Sequence, residues 1–190
     1  MAVLPDRPGD GWLPGVRIVV SPNQDVRPEG CVVDTIIIHN ISLPPERFSG
    51  DAVERLFTNR LDPLAHPYFE TIAALRVSAH FFLRRDGSLL QFVATDRRAW
   101  HAGVSRLQTR ERCNDFSIGI ELEGSDLRPF TQAQYRRLAS LLRRLARRHP
   151  LRLIAGHSDV APGRKTDPGP FFDWGRLGPL FASIGVSRPF

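Results

Sequence analysis

The sequence predicts an α/β fold: a single domain in which a central mixed β-sheet is flanked by helices. Apolar β-branched runs are interspersed along the chain with amphipathic segments of helical period, a pattern typical of a sheet covered by helices. A chain of 190 residues can bury one substantial core and is short for two. We therefore expect one domain over residues 1–190, with a core between about residues 11 and 174.

The first part of the chain leads into one clear strand and two short helices. Residues 1–30 are rich in proline, glycine and aspartate, which predicts mostly irregular structure. The β-branched run 31–38 (CVVDTIII) predicts a buried strand. Apolar residues at helical spacing predict a short amphipathic helix over 51–59, and a second short helix is expected over 68–75.

The middle of the chain predicts a hairpin followed by a strand. The apolar segments HFFLRR and SLLQFV flank Asp86-Gly87, a dipeptide that favours a tight turn between antiparallel strands, so residues 79–93 predict a β-hairpin. After a loop, the run 116–122 (FSIGIEL) alternates apolar with small or polar residues. This alternation predicts a strand with one buried face.

The last part of the chain contains the clearest helix. Thr131 and Gln134 fit a capping box, the apolar residues that follow share one face, and Pro150 ends the pattern. Residues 151–155 then predict a short strand. The chain after Trp174 is apolar and contains glycine, and its pattern favours neither helix nor strand.

Charge and composition limit the classes of partner. The net charge of +6 favours acidic partners, either nucleic acid or a substrate rich in carboxylates. Much of the excess lies in the arginine-rich segment 136–148, which on a helix is typical of a solvated face. No recognised nucleic-acid motif accompanies it, so we expect no nucleic-acid partner. Nothing in the sequence indicates an obligate protein partner.

The sequence also predicts a cytoplasmic protein without a membrane segment. The first fifteen residues contain three prolines and no apolar run of signal-peptide length. No stretch approaches the roughly 18–20 apolar residues of a membrane-spanning helix. Cys31 and Cys113 lie far apart and lack metal-ligand spacing, so we expect free thiols.

Histidines that follow predicted strands are the candidate metal ligands. His39 and His157 each follow a short apolar strand, and adjacent parallel strands would bring both imidazoles to one edge of the sheet. Asp167 comes ten residues after His157, far enough for the chain to loop back. Two histidines and one carboxylate, with a fourth position open, are typical of a catalytic zinc site. On spacing alone, His80 and His101 remain rival ligands.

A carboxylate and a lysine accompany these ligands. Glu121 lies near the end of the predicted strand 116–122 and could act as a general base beside a metal. The neighbouring Glu123 is the alternative, and we expect it to be an exposed glutamate at the strand end. Lys165 is the only lysine of the chain among 26 basic residues. Because an ammonium and a guanidinium differ in shape and donor geometry, this choice of residue suggests a specific role.

Six long segments carry a recognisable pattern in a fixed order. They are HNISLPP (39–45), LDPLAHPYF (61–69), LRVSAHFFLRRDG (75–87), RAWHAGVS (98–105), RERCNDFSIGIELEG (110–124) and GHSDVAPGRKTDPGPFFDW (156–174). Together they resemble the zinc amidases that cleave N-acetylmuramoyl-L-alanine bonds. Within that family they are most similar to the cytosolic enzymes of peptidoglycan recycling. The resemblance runs from about residue 11 to residue 174.

The resemblance implies a role for each of five residues. The zinc ligands of the family fall on His39, His157 and Asp167, its catalytic glutamate on Glu121 and its lysine on Lys165. The resemblance thereby favours Glu121 over the second glutamate of the strand. It also implies that the two rival histidines have structural or supporting roles.

Further residues are implied to contact the substrate. Arg76 and Arg112 match arginines that hold the carboxylates of the stem peptide, and Asn40 matches a position that contacts the peptide. Trp100 is suited to lie against the sugar. The implied substrate is a small anhydro-muropeptide, whose acidic peptide suits the positive net charge.

The implied activity is hydrolysis of the amide bond between 1,6-anhydro-N-acetylmuramic acid and L-alanine. Two alternatives remain open at this point. One is an amidase of broader specificity that acts on N-acetylmuramoyl-L-alanine bonds of the cell wall. The other is a module that binds peptidoglycan without cutting it, although the ligand set, the glutamate and the lysine all favour an enzyme.

Overall fold

A computed structural model describes residues 11–189, and a mixed sheet lies at the centre of this part of the chain. The strands are β1 (Arg17–Ile18), β2 (Gln24–Val26), β3 (Thr35–Ile41), β4 (Phe81–Leu83), β5 (Leu89–Gln91), β6 (Arg97–Ala99), β7 (Arg106–Leu107), β8 (Arg110–Glu111), β9 (Ser117–Glu123) and β10 (Leu153–Gly156). The helices are α1 (Ala52–Phe57), α2 (Pro67–Ile72), α3 (Gln132–Ala146), α4 (His157–Val160) and α5 (Gly178–Ile184). Short 3-10 turns lie at Pro63–Ala65, Cys113–Asp115 and Trp174–Leu177.

The main sheet has six strands in the order β1-β5-β4-β9-β3-β10. Only the hairpin pair β4–β5 is antiparallel, while all other neighbours in this sheet are parallel. Two separate two-stranded sheets are formed by β2 with β6 and by β7 with β8. The predicted mixed sheet is therefore confirmed, and so is the hairpin, whose turn contains Gly87 at a φ of 88°.

Helices cover both faces of the sheet. On one face, α3 and α5 pack against apolar side chains of β3, β4 and β9. On the other face, α1 and α2 pack against β4 and β5. The core extends beyond residue 174, because Leu177, Leu180, Phe181 and Val186 are buried in the first of these clusters. The sequence pattern predicted neither helix nor strand for this segment, which contains α5.

One expectation about β9 is wrong. All seven of its residues are buried, whereas the alternating pattern predicted one exposed face. The reason is its central place between β4 and β3, where both faces are covered. Glu123 is accordingly buried rather than exposed, and its carboxylate accepts a hydrogen bond of 3.0 Å from the backbone N–H of Arg85.

The C-terminal segment is joined to the edge of the sheet. The irregular structure expected for residues 1–10 lies outside the described residues, so the extent of the domain over 1–190 stays a prediction. Near the C-terminus, Ser187 forms a parallel bridge with Leu153 of the edge strand β10. Arg188 donates a hydrogen bond of 2.9 Å to Asp159 of α4. Within residues 11–189, no helix has the length and apolar character to cross a membrane.

The predicted capping box of α3 is confirmed and also joins the helix to the sheet. The Thr131 hydroxyl accepts a hydrogen bond of 3.1 Å from the N–H of Gln134, and the Gln134 side chain accepts one of 2.9 Å from the N–H of Thr131. The same two side chains donate to strand-side carbonyls: Thr131 to Arg85, and Gln134 to Leu83 and Glu123. The start of α3 is thus fixed to the ends of β4 and β9.

The first prediction concerns this cap. Thr131→Ala removes the acceptor for the N–H of Gln134 and the donor to the carbonyl of Arg85. We expect the free energy of unfolding to fall by about 0.5–2 kcal/mol, the usual cost of losing such a cap, as measured by urea denaturation. Thr131→Ser keeps the hydroxyl and serves as the control, with a much smaller loss. Equal stability of the alanine variant and the unchanged protein would contradict this account of the helix start.

Candidate active site

The register of three neighbouring strands brings the candidate residues together. β3 lies between β9 and β10 and is parallel to both, and His39 is the register partner of Glu121 on β9. Ile38 is the partner of Gly156, the last residue of β10, so His157 follows at the same edge. The expected adjacency of the two histidine-bearing strands is confirmed, and the carboxyl ends of parallel strands are a usual place for ligand sites.

Three potential ligand atoms converge at this edge. His39 Nδ1 lies 3.0 Å from His157 Nδ1, and Asp167 Oδ2 lies 3.1 Å from the former and 3.0 Å from the latter. Both histidines are almost fully buried, whereas Asp167 is partly exposed. The backbone N–H of Ser158 donates a 2.8 Å hydrogen bond to the carbonyl of Asp167, which fixes the return of the loop.

The donor set fits a zinc-type ion. His157 Nε2 lies 3.1 Å from the carbonyl oxygen of Ala102, so this nitrogen carries the proton and Nδ1 presents its electron pair to the site. Burial, with the neighbouring His157 as a second cause, lowers the pKa of His39 to about 4, so this ring is neutral at neutral pH. Ligands at about 2.0–2.1 Å around a tetrahedral zinc are about 3.3 Å apart, close to the separations found here.

A cavity of about 470 Å³ opens beside these three residues. Glu121, Lys165, Asn40 and Trp100 all line it together with the three potential ligands. The opposite wall is largely apolar, with side chains from the loop after β3, from α1 and from the α2 region: Leu43, Leu56, Phe57, Tyr68, Ile72, Leu75 and Val77. The cavity therefore combines an apolar wall with a polar floor at the sheet edge, as binding sites for small molecules commonly do.

Glu121 is the buried acid of this floor. Its side chain is about nine-tenths buried, and Oε2 has no hydrogen-bond partner among the described residues. Burial raises the pKa of the carboxyl well above its usual value, Asp167 raises it further, and Lys165 opposes the shift. Glu123 does not line the cavity, because its carboxylate is held by the N–H of Arg85.

Lys165 reaches the cavity from the loop between His157 and Asp167. Its side chain is exposed, and its backbone N–H donates a 3.0 Å hydrogen bond to the carbonyl of Ala161. The side chain of the preceding Arg164 does not line the cavity and instead donates hydrogen bonds of 2.7 and 2.6 Å to the carbonyls of Ala102 and Val104. The lysine is thus the basic side chain of this loop that lines the cavity.

The predicted substrate contacts divide into two groups. Asn40 and Trp100 line the cavity, and Asn40 donates a 2.7 Å hydrogen bond to Asp126. Arg76 and Arg112 do not line it. The guanidinium of Arg76 is exposed and donates to nearby backbone carbonyls, of which that of Ala74 is 3.1 Å away.

Arg112 lies at the edge of a neighbouring groove. It adopts a left-handed backbone conformation (φ 58°), and its side chain is paired with Asp115 at 3.2 Å. The groove that it lines also includes Arg164, from the loop that carries Lys165. The structure therefore does not bring the two arginines into the cavity with the other candidate residues.

The rival histidines take supporting positions. His80 is fully buried, with Nδ1 accepting from the N–H of Gly119 and Nε2 donating to the carbonyl of Arg97, both at 3.0 Å. His101 lines the cavity, and its Nδ1 lies 3.0 Å from His39 Nε2, the ring nitrogen that points away from the cavity.

Asp126 also lines the cavity, and the sequence analysis did not single it out because it lies in a loop with no distinctive spacing.

Comparisons with known proteins agree with this arrangement. Residues 29–170 match a family described as N-acetylmuramoyl-L-alanine amidase. The chain is 56% identical over 169 residues to the Escherichia coli (strain K12) protein named 1,6-anhydro-N-acetylmuramyl-L-alanine amidase AmpD, which covers 88% of this chain and 92% of the relative. A crystal structure of a selenomethionine AmpD derivative has a TM-score of 0.87 at 54% identity, covering 90% of this chain and 97% of that one.

A structure with bound substrate is also similar. It is the E. coli amidase AmiD in complex with anhydro-N-acetylmuramic acid-L-Ala-D-gamma-Glu-L-Lys, with a TM-score of 0.58 and 26% identity. The alignment covers 85% of this chain and 61% of the AmiD chain. The likeness thus extends to a protein that binds an anhydro-muropeptide.

Proposed function

This chain belongs to the N-acetylmuramoyl-L-alanine amidase family, and we propose that it hydrolyses anhydro-muropeptides with a zinc ion held by His39, His157 and Asp167. The observation that carries the proposal is the convergence of three ligand atoms within about 3 Å of one another beside a buried glutamate. The bond cleaved is the amide between 1,6-anhydro-N-acetylmuramic acid and L-alanine, a reaction of peptidoglycan recycling. The relatives named for that activity are more than half identical and match most of both chains.

The proton steps fall to Glu121. A zinc ion held at this site would supply Lewis-acid chemistry, which would polarise the scissile carbonyl and lower the pKa of water. Burial holds the pKa of Glu121 well above its usual value, which suits a base that works near neutral pH. The carboxylate accepts a proton from the attacking water and later donates it to the alanine nitrogen. The C–N bond then breaks, and the products are a carboxylic acid and a free amine.

Lys165 faces the charge that develops during the reaction. Attack on the amide carbonyl places negative charge on its oxygen, and a fixed positive donor near that atom stabilises the transition state. Lys165 lines the same cavity as Glu121, and among the described residues it is the only lysine. Its flexible stem can carry the ammonium inward from the cavity rim.

The remaining residues are proposed to bind the two ends of the substrate. Asn40 and Trp100 line the cavity, where they can contact the peptide backbone and the face of the sugar ring. Arg76 and Arg112 are exposed outside it, and we propose that they hold the carboxylates of the stem peptide where it leaves the cavity. Charge-assisted pairs of this kind suit an acidic peptide.

We also propose a cytoplasmic location. Cys31 and Cys113 are both free thiols in the structure, as expected for a reducing compartment. A soluble anhydro-muropeptide would then be the substrate, rather than the intact cell wall.

The second prediction tests both metal and substrate. Release of the peptide from purified anhydro-muropeptides should stop in the presence of a chelator and return when Zn²⁺, but not Mg²⁺, is added, because nitrogen ligands favour zinc. Intact sacculi treated in parallel should release far less peptide. Full activity of a preparation shown by elemental analysis to be metal-free would exclude the zinc mechanism. Equal rates on both substrates would indicate an amidase of broader specificity.

The third prediction concerns the proton carrier. Glu121→Gln keeps the shape of the side chain and removes its ability to accept a proton, so kcat should fall on the order of 10²–10⁴-fold. Zinc content, measured by elemental analysis, should stay the same because Glu121 is not a ligand. Glu123→Gln is the matched control on the same strand and should keep most of the kcat. A larger kcat loss in Glu123→Gln than in Glu121→Gln would show that Glu123, and not Glu121, is the base.

The fourth prediction concerns the single lysine. Lys165→Arg keeps the charge on a longer, planar group, so the donor should miss the oxyanion and kcat should fall on the order of 10²-fold. Zinc content and thermal stability should not change. Arg143→Lys, on an exposed face of α3, is the control for exchanging the two residue types and should leave the kcat unchanged. A kcat near that of the unchanged enzyme in Lys165→Arg would show that the ammonium has no such role.

A further inference from the structure

The loop segment 101–102 contacts both proposed metal-binding histidines at the ring nitrogens that point away from the cavity. His101 Nδ1 lies 3.0 Å from His39 Nε2, and the carbonyl oxygen of the next residue, Ala102, lies 3.1 Å from His157 Nε2. The ring nitrogens that point away from the cavity therefore both meet the segment 101–102. No residue of this segment is among the proposed ligands or proton carriers.

The direction of the hydrogen bonds on the His39 side can be derived from a backbone carbonyl. The hydroxyl of Ser117 donates its one proton to the carbonyl of Cys113 at 2.5 Å. Its oxygen can then only accept from His101 Nε2, 3.3 Å away, so that nitrogen carries the proton. In a neutral imidazole the other nitrogen, Nδ1, is then unprotonated and accepts from His39 Nε2, 3.0 Å away. His39 Nδ1 is thereby left with a free electron pair facing the cavity.

The segment is itself held in place by one side chain. Asn114 is buried, and its Oδ1 accepts hydrogen bonds from the N–H groups of His101 at 3.1 Å and Ala102 at 2.8 Å. Gly119 provides the space for the imidazole, since a Cβ at this position would lie 2.4 Å from His101 Cγ. The fold thus packs His101 tightly against β9 and fixes its backbone.

We propose that His101 is a positioning residue that, together with the Ala102 carbonyl, holds both metal-binding histidines with Nε2 protonated and Nδ1 free for the metal. Ser117 and Asn114 support it by fixing the proton and the backbone of His101. This inference rests on the proposed function only in taking zinc as the metal. Partners of this kind, which hydrogen-bond the outer nitrogen of a ligating histidine, typically change metal affinity by 10–100-fold.

A pair of substitutions separates the acceptor from the volume of the ring. His101→Phe keeps a ring beside Gly119 but has no nitrogen to accept from His39. His101→Asn is smaller, but its amide oxygen stands near the place of Nδ1 and can accept the same hydrogen bond. The zinc dissociation constant, measured by competition with a chromophoric chelator, should rise about 10–100-fold for His101→Phe. It should stay within a few-fold of that of the unchanged protein for His101→Asn.

Two results of this measurement would overturn the proposal. One is zinc affinity in His101→Phe equal to that of the unchanged protein. The other is equal weakening in both variants, which would assign the effect to lost packing. Should His101→Phe fail to fold, Ser117→Ala carries the test, because it removes the acceptor for the His101 Nε2 proton together with the hydrogen bond to the Cys113 carbonyl. It should lower the melting temperature and weaken zinc binding, whereas Thr131→Ala, which loses stability at a residue outside the cavity, should keep its zinc affinity. Zinc affinity of Ser117→Ala equal to that of the unchanged protein would overturn the proposal.

A spectroscopic readout is independent of activity. Long-range proton–nitrogen NMR spectra of the zinc-loaded protein show which nitrogen of each imidazole carries the proton. We expect both His39 and His157 to carry it on Nε2, and the Nε2 proton of His39 to exchange with water faster in His101→Phe than in His101→Asn. A proton on Nδ1 of either histidine in the zinc-loaded, unchanged protein would overturn the inference. Because no substrate is present, failure of the proposed amidase function would leave this result unaffected.

Discussion

The parallel pairing of β3 with both β9 and β10 is the constraint on which the site depends. This pairing places His39 opposite Glu121 and sets His157 just beyond the end of the neighbouring strand. Since successive side chains on a strand alternate between faces, a slip by one residue in either pair would turn a functional side chain into the apolar core. The β-branched residues Ile36 and Ile38 of β3, buried under α3, resist such a slip because they would have to leave that core.

Burial shifts the pKa values of the polar side chains at this site, such as His39 and Glu121, and it also costs free energy of folding. A buried imidazole or carboxylate without partners destabilises a fold, so each has to be bound by the surrounding protein or by a ligand. The outward nitrogens of the two histidines proposed as ligands lie beside His101 and a backbone carbonyl, whereas their cavity-facing atoms lie beside one another. Glu121 stands apart, because Oε2 is buried without a partner among the described residues. The surrounding protein thus provides partners for the outward nitrogens, whereas Glu121 lines the cavity without one for Oε2.

Sequence reasoning worked wherever a local rule decides the structure. The Asp86-Gly87 turn and the capping box at Thr131 follow from neighbouring residues alone, and both are present. The order of the strands, the burial of β9 on both faces and the buried state of Glu123 depend on contacts between distant segments, which no local pattern encodes. The same limit applies to the site. The histidine spacing indicated the candidate ligands, but the contact between His101 and His39, on which the proposed supporting role rests, exists only in three dimensions.

The position of the single lysine has a practical consequence for chemical labelling. Lys165 is exposed at the rim of the cavity, and no other side chain of the 190-residue sequence carries an ε-amino group. Most enzymes of this size react with acylating reagents at many surface amines, whereas the arginines that cover this surface do not react. Apart from the α-amino group of the chain, Lys165 is thus the one amine that an activated ester can acylate, and a fluorophore coupled to it would report from the mouth of the cavity. Protection of that amine by a bound molecule would measure occupancy directly, without turnover.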